Sequence, residues 1–446
     1  MTFGELRLKH PRFIYKSFDA VQKDSDLRIT FHFELEPGIE FAPETRIPLP
    51  QHIDINAIKP YLFNLGMIEA ISYWKAACPA EFMVEAGALS REETRFWYDL
   101  IIHGLGEFFY KNTIDFTQAD FLKIESTGEK TDIPTTIPDS QSSDLVLVGG
   151  GKDSSVTLGI LTKSDRTLQI LLVNPTQAAL DVTMTAGISS PIIVEREIDP
   201  RLLELNENGY LNGHTPFNAY LAFLGTLVAA LYGNENVIVS NERSANEGNV
   251  TYQGMEINHQ YSKSLRFETM FRKSFFSGYF SFLRPLSDMQ IAKLFSHYPK
   301  FFPVFRSCNV GSKTNSWCGT CPKCAFTYLT LFPFLAYEDV LKIFGSDYFT
   351  SDAICREIRG LTGLTPVKPF ECVGTRDEAK LAVTLSVEAY EEQNREIPEG
   401  LLKIKSDLSL SESEIARLKA TLNTWGDTYN LPPEHLAILR DTYERT

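Results

Sequence analysis

A chain of 446 residues with a net charge of −14 is poorly suited to gripping a nucleic-acid backbone, and its 43% hydrophobic and 12% aromatic residues can bury a sizeable core in about two to three domains. The N-terminus carries no apolar leader, and the longest apolar stretch, Ala219–Tyr232, is too short to cross a bilayer, so the expected setting is the cytoplasm, with neither nucleic acid nor membrane as partner. Seven cysteines, four of them within Cys308–Cys324, suit a metal cluster better than a secreted disulfide framework.

Residues 1–126 read as an α+β domain. Leu27–Leu35 alternates with period two: Ile29, Phe31, Phe33 and Leu35 on one face, Arg28, Thr30, His32 and Glu34 on the other. Helices are predicted over Ile55–Ala77 and Ser90–Lys111, the second opened by a Ser90/Glu93 capping box. Its aromatics, Phe96 to Tyr110, read as core. The domain shows no catalytic signature and is assigned to substrate recognition or to a structural lid. Residues 127–143, polar and holding two prolines, read as a linker.

Residues 144–345 alternate strand and helix as a parallel α/β sheet does. Leu145–Val148 is an aliphatic strand, followed by Gly149, Gly150, Gly151, Lys152, Asp153, Ser154 and Ser155, then a helix. Glycines let the backbone turn tightly beside an anion, and the helix start turns unpaired N–H groups toward it. Neither the mononucleotide loop nor the dinucleotide fingerprint fits, because Asp153 follows Lys152 and position 154 is serine. The run resembles the pyrophosphate loop of ATP pyrophosphatases, with Gly149 in place of its first serine. Further strands are predicted over Leu168–Val173, Ile192–Val194 and Asn236–Ser240, with a buried helix over Phe217–Tyr232. Ligands bind beyond the carboxyl ends of such strands, which marks the loop Asn241–Asn249, with Asn241, Glu242, Arg243 and Asn246, as a substrate contact. His259, Tyr261 and Lys263 follow as candidate proton carriers. Ser287 with Gln290 opens another helix. Cys308, Cys318, Cys321 and Cys324 have the spacing of a four-thiolate zinc site; an iron–sulfur cluster, buried thiols and redox chemistry are the other readings. Residues 346–446 are mostly helical, with helices over Asp377–Gln393 and Ser411–Trp425, and are assigned to packing or to contacts with a second copy in a homodimer.

The order of parts over Asp144–Tyr328 resembles 7-cyano-7-deazaguanine synthase. A closer resemblance extends over most of the chain. Val148–Ser154, Asn241–Asn246, Asn258–Lys263, Arg284–Ser287, Ser307–Asn309, Trp317–Cys324 and Lys368–Thr375 look like the ATP-dependent UDP-N-acetylmuramoyl-L-alanyl-L-glutamate epimerase family. That resemblance implies an α/β fold with a pyrophosphate-loop ATP-binding core, ATP and Mg2+ as cofactors, a UDP-muramoyl dipeptide as substrate, and AMP and pyrophosphate as products. It implies that Gly149 to Ser155 hold the nucleotide, Lys152 and Asp153 serve the phosphate chemistry, and Asn241, Glu242, Arg243, Asn246, Tyr261 and Lys263 contact substrate. His259 is the first choice of base and Cys372 the second. The alternatives are another adenylating enzyme, acting on a deazapurine or a tRNA base, and a non-enzymatic nucleotide- or zinc-binding scaffold.

Overall fold

The computed structural model describes residues 1–129, 136 and 141–445. Eleven of its strands form one mixed, mostly parallel sheet. In chain order the strands are β1 (Arg12–Lys23), β2 (Asp26–Leu35), β3 (Ile39–Phe41), β4 (Glu44–Pro48), β5 (Glu81–Val84), β6 (Lys123–Ser126), β7 (Gln141–Leu147), β8 (Thr167–Val173), β9 (Ile192–Glu197), β10 (Asn234–Val239), β11 (Val250–Tyr252), β12 (Met255–Ile257) and β13 (Tyr279–Ser281). The sheet order is β13-β10-β7-β8-β9-β4-β2-β1-β5-β6, with β3 on β2, while β11 and β12 form a separate hairpin.

The expected parallel core is the run from β13 to β9, in which every pairing is parallel. Its strands read as continuous apolar runs because both faces are covered. Leu145, Leu147, Leu171, Val237 and Val239 join the core on one face, with helices Ile55–Trp74 and Phe217–Tyr232. Their alternates Val146, Val148, Ile170, Leu172 and Ile238 join the core on the other, with helices Lys152–Leu161, Asp288–Ser296 and Pro322–Leu331. The C-terminal helices pack on that second face. One of them, Pro433–Glu444, places buried His435 at 2.9 Å from Asp144, which also takes a two-pronged ion pair from Arg166.

Several boundaries differ from the sequence expectation. The predicted Ser90–Lys111 helix is two helices, Arg91–Gly104 and Gly106–Lys111, broken at Leu105. The break lies between two glycines, poor helix formers, where Gly104 meets Pro216 and Gly106 meets Ile257. Strand β7 begins at Gln141, inside the predicted linker; residues 130–135 and 137–140 of that linker lie outside the described residues. The Ser411–Trp425 helix ends at Ala420 and continues as one tighter turn. Among the described residues, no helix is long and apolar enough to cross a membrane.

The N-terminal strands and the parallel core join edge to edge. Strands β4 and β9 pair antiparallel, Thr45 opposite Arg196. The Arg196 guanidinium leaves that seam to grip buried Glu69 of helix Ile55–Trp74 through two hydrogen bonds of 2.7 Å. Removing one partner of such a pair strands the other charge in the interior. Arg196→Met should therefore cost about 3–5 kcal/mol, read as a lower urea midpoint, with Glu69→Gln in the same chain recovering much of the loss. An Arg196→Met midpoint equal to the parent's would remove this pair from the account of the seam.

Candidate active site

Strand β7 delivers the chain to the carboxyl edge of the sheet, where the glycine loop turns back into helix Lys152–Leu161. Gly150 has φ +80, and a Cβ there would lie 2.4 Å from the backbone nitrogen of Ala179 on the neighbouring helix Gln177–Thr185. Ser154 and Ser155 turn their hydroxyls to the Gly151 carbonyl at 3.1 and 2.9 Å, which stiffens the turn. The first-turn N–H groups of Asp153 and Ser154 have no acceptor within the helix, and the positive end of its dipole lies there.

A strap from the cysteine region lies across the loop. Arg306 N–H donates to the Gly150 carbonyl at 2.9 Å, and Lys152 N–H donates to the Ser307 hydroxyl at 3.3 Å. Cys308, next along the strap, belongs to a cluster in which Cys308, Cys318, Cys321 and Cys324 bring their sulfurs within 4.8 Å of one another. Two of those separations are 3.9 Å and 3.7 Å. Backbone N–H groups of Gly311, Cys318 and Cys324 point at the sulfurs, as they do at thiolates. The four cysteines are a set that could hold one metal ion.

Loop, strap and strand ends enclose a cavity of ≈ 320 Å³. Val148, Val173 and Val239 give it apolar walls; Asp153, Asn241, Lys263 and Lys323 give it polar ones. Lys152 is buried, with its ammonium 2.5 Å from Asp153 and 2.9 Å from Asp288. Burial opposes its charge, but the two carboxylates outweigh burial and hold its pKa above the ordinary lysine value. Burial pushes Asp288 and Glu242 up, in Asp288 against the opposing charge of Lys152 and in Glu242 against that of Lys263.

A second cluster meets this cavity at Lys263. The segment Lys368–Thr375 is held by Asn249, which donates to the Pro369 carbonyl at 2.7 Å, and by Gln260, which donates to that of Val373 at 2.9 Å. Asn249 also accepts from His259 N–H at 2.9 Å. These bonds hold the segment that carries Cys372 beside His259, close enough for the thiol to act on the His259 charge. Glu107, from the N-terminal helix Gly106–Lys111, binds His259 Nδ1 through Oε2 and Lys111 through Oε1. The same Oε2 lies 3.5 Å from His214 Nδ1. Burial lowers His259, but Cys372 and Glu107 outweigh it and push the imidazole up to about 9. Burial raises Cys372, but Lys263, His259 and Lys323 overcome it and bring the thiol down to about 5. Burial raises Glu107 too, and His259, Lys111 and His214 still lower it to about 2. His214, pushed down to about 3 by burial and the His259 charge, is neutral.

The candidate residues thus fall into three groups. Gly149, Gly151, Lys152, Asp153, Ser154, Asn241 and Lys263 line the cavity, with Cys308 at its edge. His259 and Cys372 meet each other beside it. Arg243, Asn246 and Tyr261 are engaged elsewhere: Arg243 donates to the Thr424 carbonyl, Asn246 accepts from Leu265 N–H, and Tyr261 donates to Asp99. Four positions that the fold brings to these clusters carried no local sequence signal of this kind: Glu107 inside an aromatic run, His214, Lys323 and Asp288. Glu378 forms a capping box with Thr375, and it also accepts from Asp288 N–H at 2.6 Å and from Ser244 at 2.8 Å.

The loop geometry is testable without a ligand. Gly150→Ala should destabilise by about 1–3 kcal/mol through strain at its positive φ. Gly149→Ala, with open space around its Cβ, should stay within ~0.5 kcal/mol of the parent. Equal denaturation midpoints for the two variants would contradict the loop described.

A model of the MurL N-terminal domain matches residues 5–281, and one of the MurL C-terminal domain matches residues 304–414. The chain is 32% identical over 407 residues to the UDP-N-acetyl-alpha-D-muramoyl-L-alanyl-L-glutamate epimerase of Micromonospora sp., covering 87% of this chain and 88% of that one. Proteins of the same name from Salinispora tropica and Xanthomonas oryzae pv. oryzae are 33% and 30% identical, covering 72% of both chains in the first case and 74% and 75% in the second. No solved structure matches the chain.

Proposed function

The chain belongs to the MurL family, and on that footing we propose that it inverts the terminal L-Glu of UDP-N-acetylmuramoyl-L-alanyl-L-glutamate to D-Glu, converting ATP to AMP and pyrophosphate, in the cytoplasmic supply of peptidoglycan precursors. The observation that carries the reading is the position of Lys263, which lines the cavity of the glycine loop and whose charge Cys372 and Glu242 sustain against burial. One space therefore serves both phosphate chemistry and proton transfer.

The chemistry needs both. Removing the Cα proton from a free carboxylate would build a second negative charge beside the first. Joining the carboxylate to the AMP moiety cancels the first charge and leaves a carbonyl that can accept the electron pair. The glycine loop and the start of helix Lys152–Leu161 suit the phosphates, and the apolar strand ends suit the adenine. Asp153, half-exposed at the cavity, is the residue to hold Mg2+, which would offset charge on the departing pyrophosphate. Lys152 holds Asp153 in place. Lys263 and Asn241 face the acyl group. A base of the His259–Cys372 pair takes the proton, return from the other face inverts the centre, and hydrolysis of the acyl-adenylate frees the product. The four-cysteine cluster suits zinc, whose ~2.3 Å bonds in a tetrahedron set sulfurs ~3.8 Å apart. Its role is to pin the strap over the loop.

Two measurements test this. With Mg-ATP and the muramoyl dipeptide in deuterium oxide, the protein should release pyrophosphate, gain deuterium at Cα and form D-Glu. Asp153→Asn should lose pyrophosphate release by ~100-fold or more while keeping its melting temperature. Pyrophosphate formed only with another acceptor would move the enzyme to a different substrate, and undiminished release by the variant would take Asp153 out of the mechanism. Metal analysis of the native protein should give about one zinc per chain; a metal-free native protein would make the cysteines part of the core.

A further inference from the structure

We propose that Cys372 is the base at Cα, acting as a thiolate paired with the His259 imidazolium, and that Glu107 is the positioning residue that holds that imidazolium in orientation and charge. The proposal rests on the epimerase reading and deepens it. His259 Nδ1 is taken by Glu107, and the segment that carries Cys372 is held beside His259 by Asn249, which binds the His259 backbone and the Pro369 carbonyl, and by Gln260, which binds that of Val373. An imidazole protonated between a carboxylate and a sulfur has no lone pair with which to accept a proton. The thiolate has one, and the charge that most favours it is that of Lys263, the side chain that reaches the cavity.

The charges around the pair favour this state from every side. Glu107 faces His259 from helix Gly106–Lys111, with its second oxygen occupied by Lys111 of the same helix. Neutral His214 packs on the His259 ring at a centroid distance of 4.4 Å, with Lys75 beyond it, and Lys75 is itself lowered to about 8 by burial. Lys263, backed by Glu242 and Asp153, faces Cys372 from the cavity, Lys323 faces it from the cysteine-rich region, and Glu371 adjoins it in sequence. The cations outweigh both burial and Glu371. Glu107, His214 and His259 bring three metal-type donor atoms within 4.8 Å of one another, but Lys111 already neutralises the carboxylate and His259 is turned to a thiol. Thiolate and imidazolium coexist above about pH 5 and below about pH 9.

In the proton-removal step the Cα–H bond breaks and an S–H bond forms on Cys372, while the electron pair moves into the acyl carbonyl as an enolate. Water protonates the opposite face of that enolate, and the hydroxide left behind is neutralised when the Cys372 thiol returns its proton to solvent.

The test has one readout that needs neither ATP nor substrate. In the full chain, the ultraviolet thiolate absorbance that Cys372→Ala removes should appear with a midpoint near pH 5. Glu107→Gln should move that midpoint up by more than about one pH unit, toward the ordinary thiol value of ~8.5, and Glu107→Asp should restore it in large part. In turnover, Cys372→Ser should still release pyrophosphate but lose Cα exchange by ~10²–10⁴-fold, and Glu107→Gln should shift the acid limb of the exchange profile upward by the same amount as the absorbance. Exchange at the parent rate in Cys372→Ser, or a midpoint that Glu107→Gln leaves unmoved, would overturn the proposal. Failure of the parent to release pyrophosphate would sink the epimerase reading and the base role with it, while the absorbance series would still decide whether the thiolate pair exists.

Discussion

The hydrogen bond from Arg306 N–H to the Gly150 carbonyl fixes how the glycine loop is presented, and much of the site follows from it. A run of three glycines has many conformations open to it, and its N–H groups form an anion site only when one is selected. Selection comes from two sides. Ala179 closes on Gly150 so tightly that no side chain fits, and the strap crosses the opposite side through Arg306 and Ser307. The strap is in turn tied to the four cysteines through Cys308. The four-cysteine cluster thereby sets the geometry of the glycine loop.

Charge placement carries the rest. The cavity sits in an acidic protein, yet Lys152, Lys263 and Lys323 converge on it. Lys152 pairs with Asp153 and Asp288, Cys372 and Glu242 favour the charge of Lys263, and Lys323 also bears on Cys372. Glu378 links the two ends. It caps the helix that follows the Cys372 segment, and it binds the backbone of Asp288, which holds Lys152. A shift of the Cys372 segment is therefore mechanically connected to the glycine loop through Asp288 and Lys152.

The N-terminal domain brings Glu107 to His259. It was legible as strands and helices from the alternation in Leu27–Leu35 and the Ser90/Glu93 cap, because those patterns are local. Glu107 was not, because its meaning depends on His259, which is 152 positions away in the chain. The same limit explains Asp288 and His214, whose partners come from other elements. Residues that act with their own neighbours, the glycine loop and the cysteine run, were readable by spacing alone. Arg243 and Tyr261 were marked by chemical type, and the fold gives both of them other partners in Thr424 and Asp99. The break at Leu105 shows the reverse case, in which a strong periodic pattern hid two glycines that packing against Pro216 and Ile257 turned into a bend.

In the proposed reaction the dipeptide's carboxylate is joined to the α-phosphate of ATP before its Cα proton is lost. The direct measurement is to run the reaction with heavy oxygen in the α-carboxylate of the muramoyl dipeptide and to weigh the AMP that is formed. Attack by that carboxylate, followed by hydrolysis at the acyl carbon, leaves one labelled oxygen on each AMP. AMP formed without label, while D-Glu accumulates with both heavy oxygens still in place, would contradict the account.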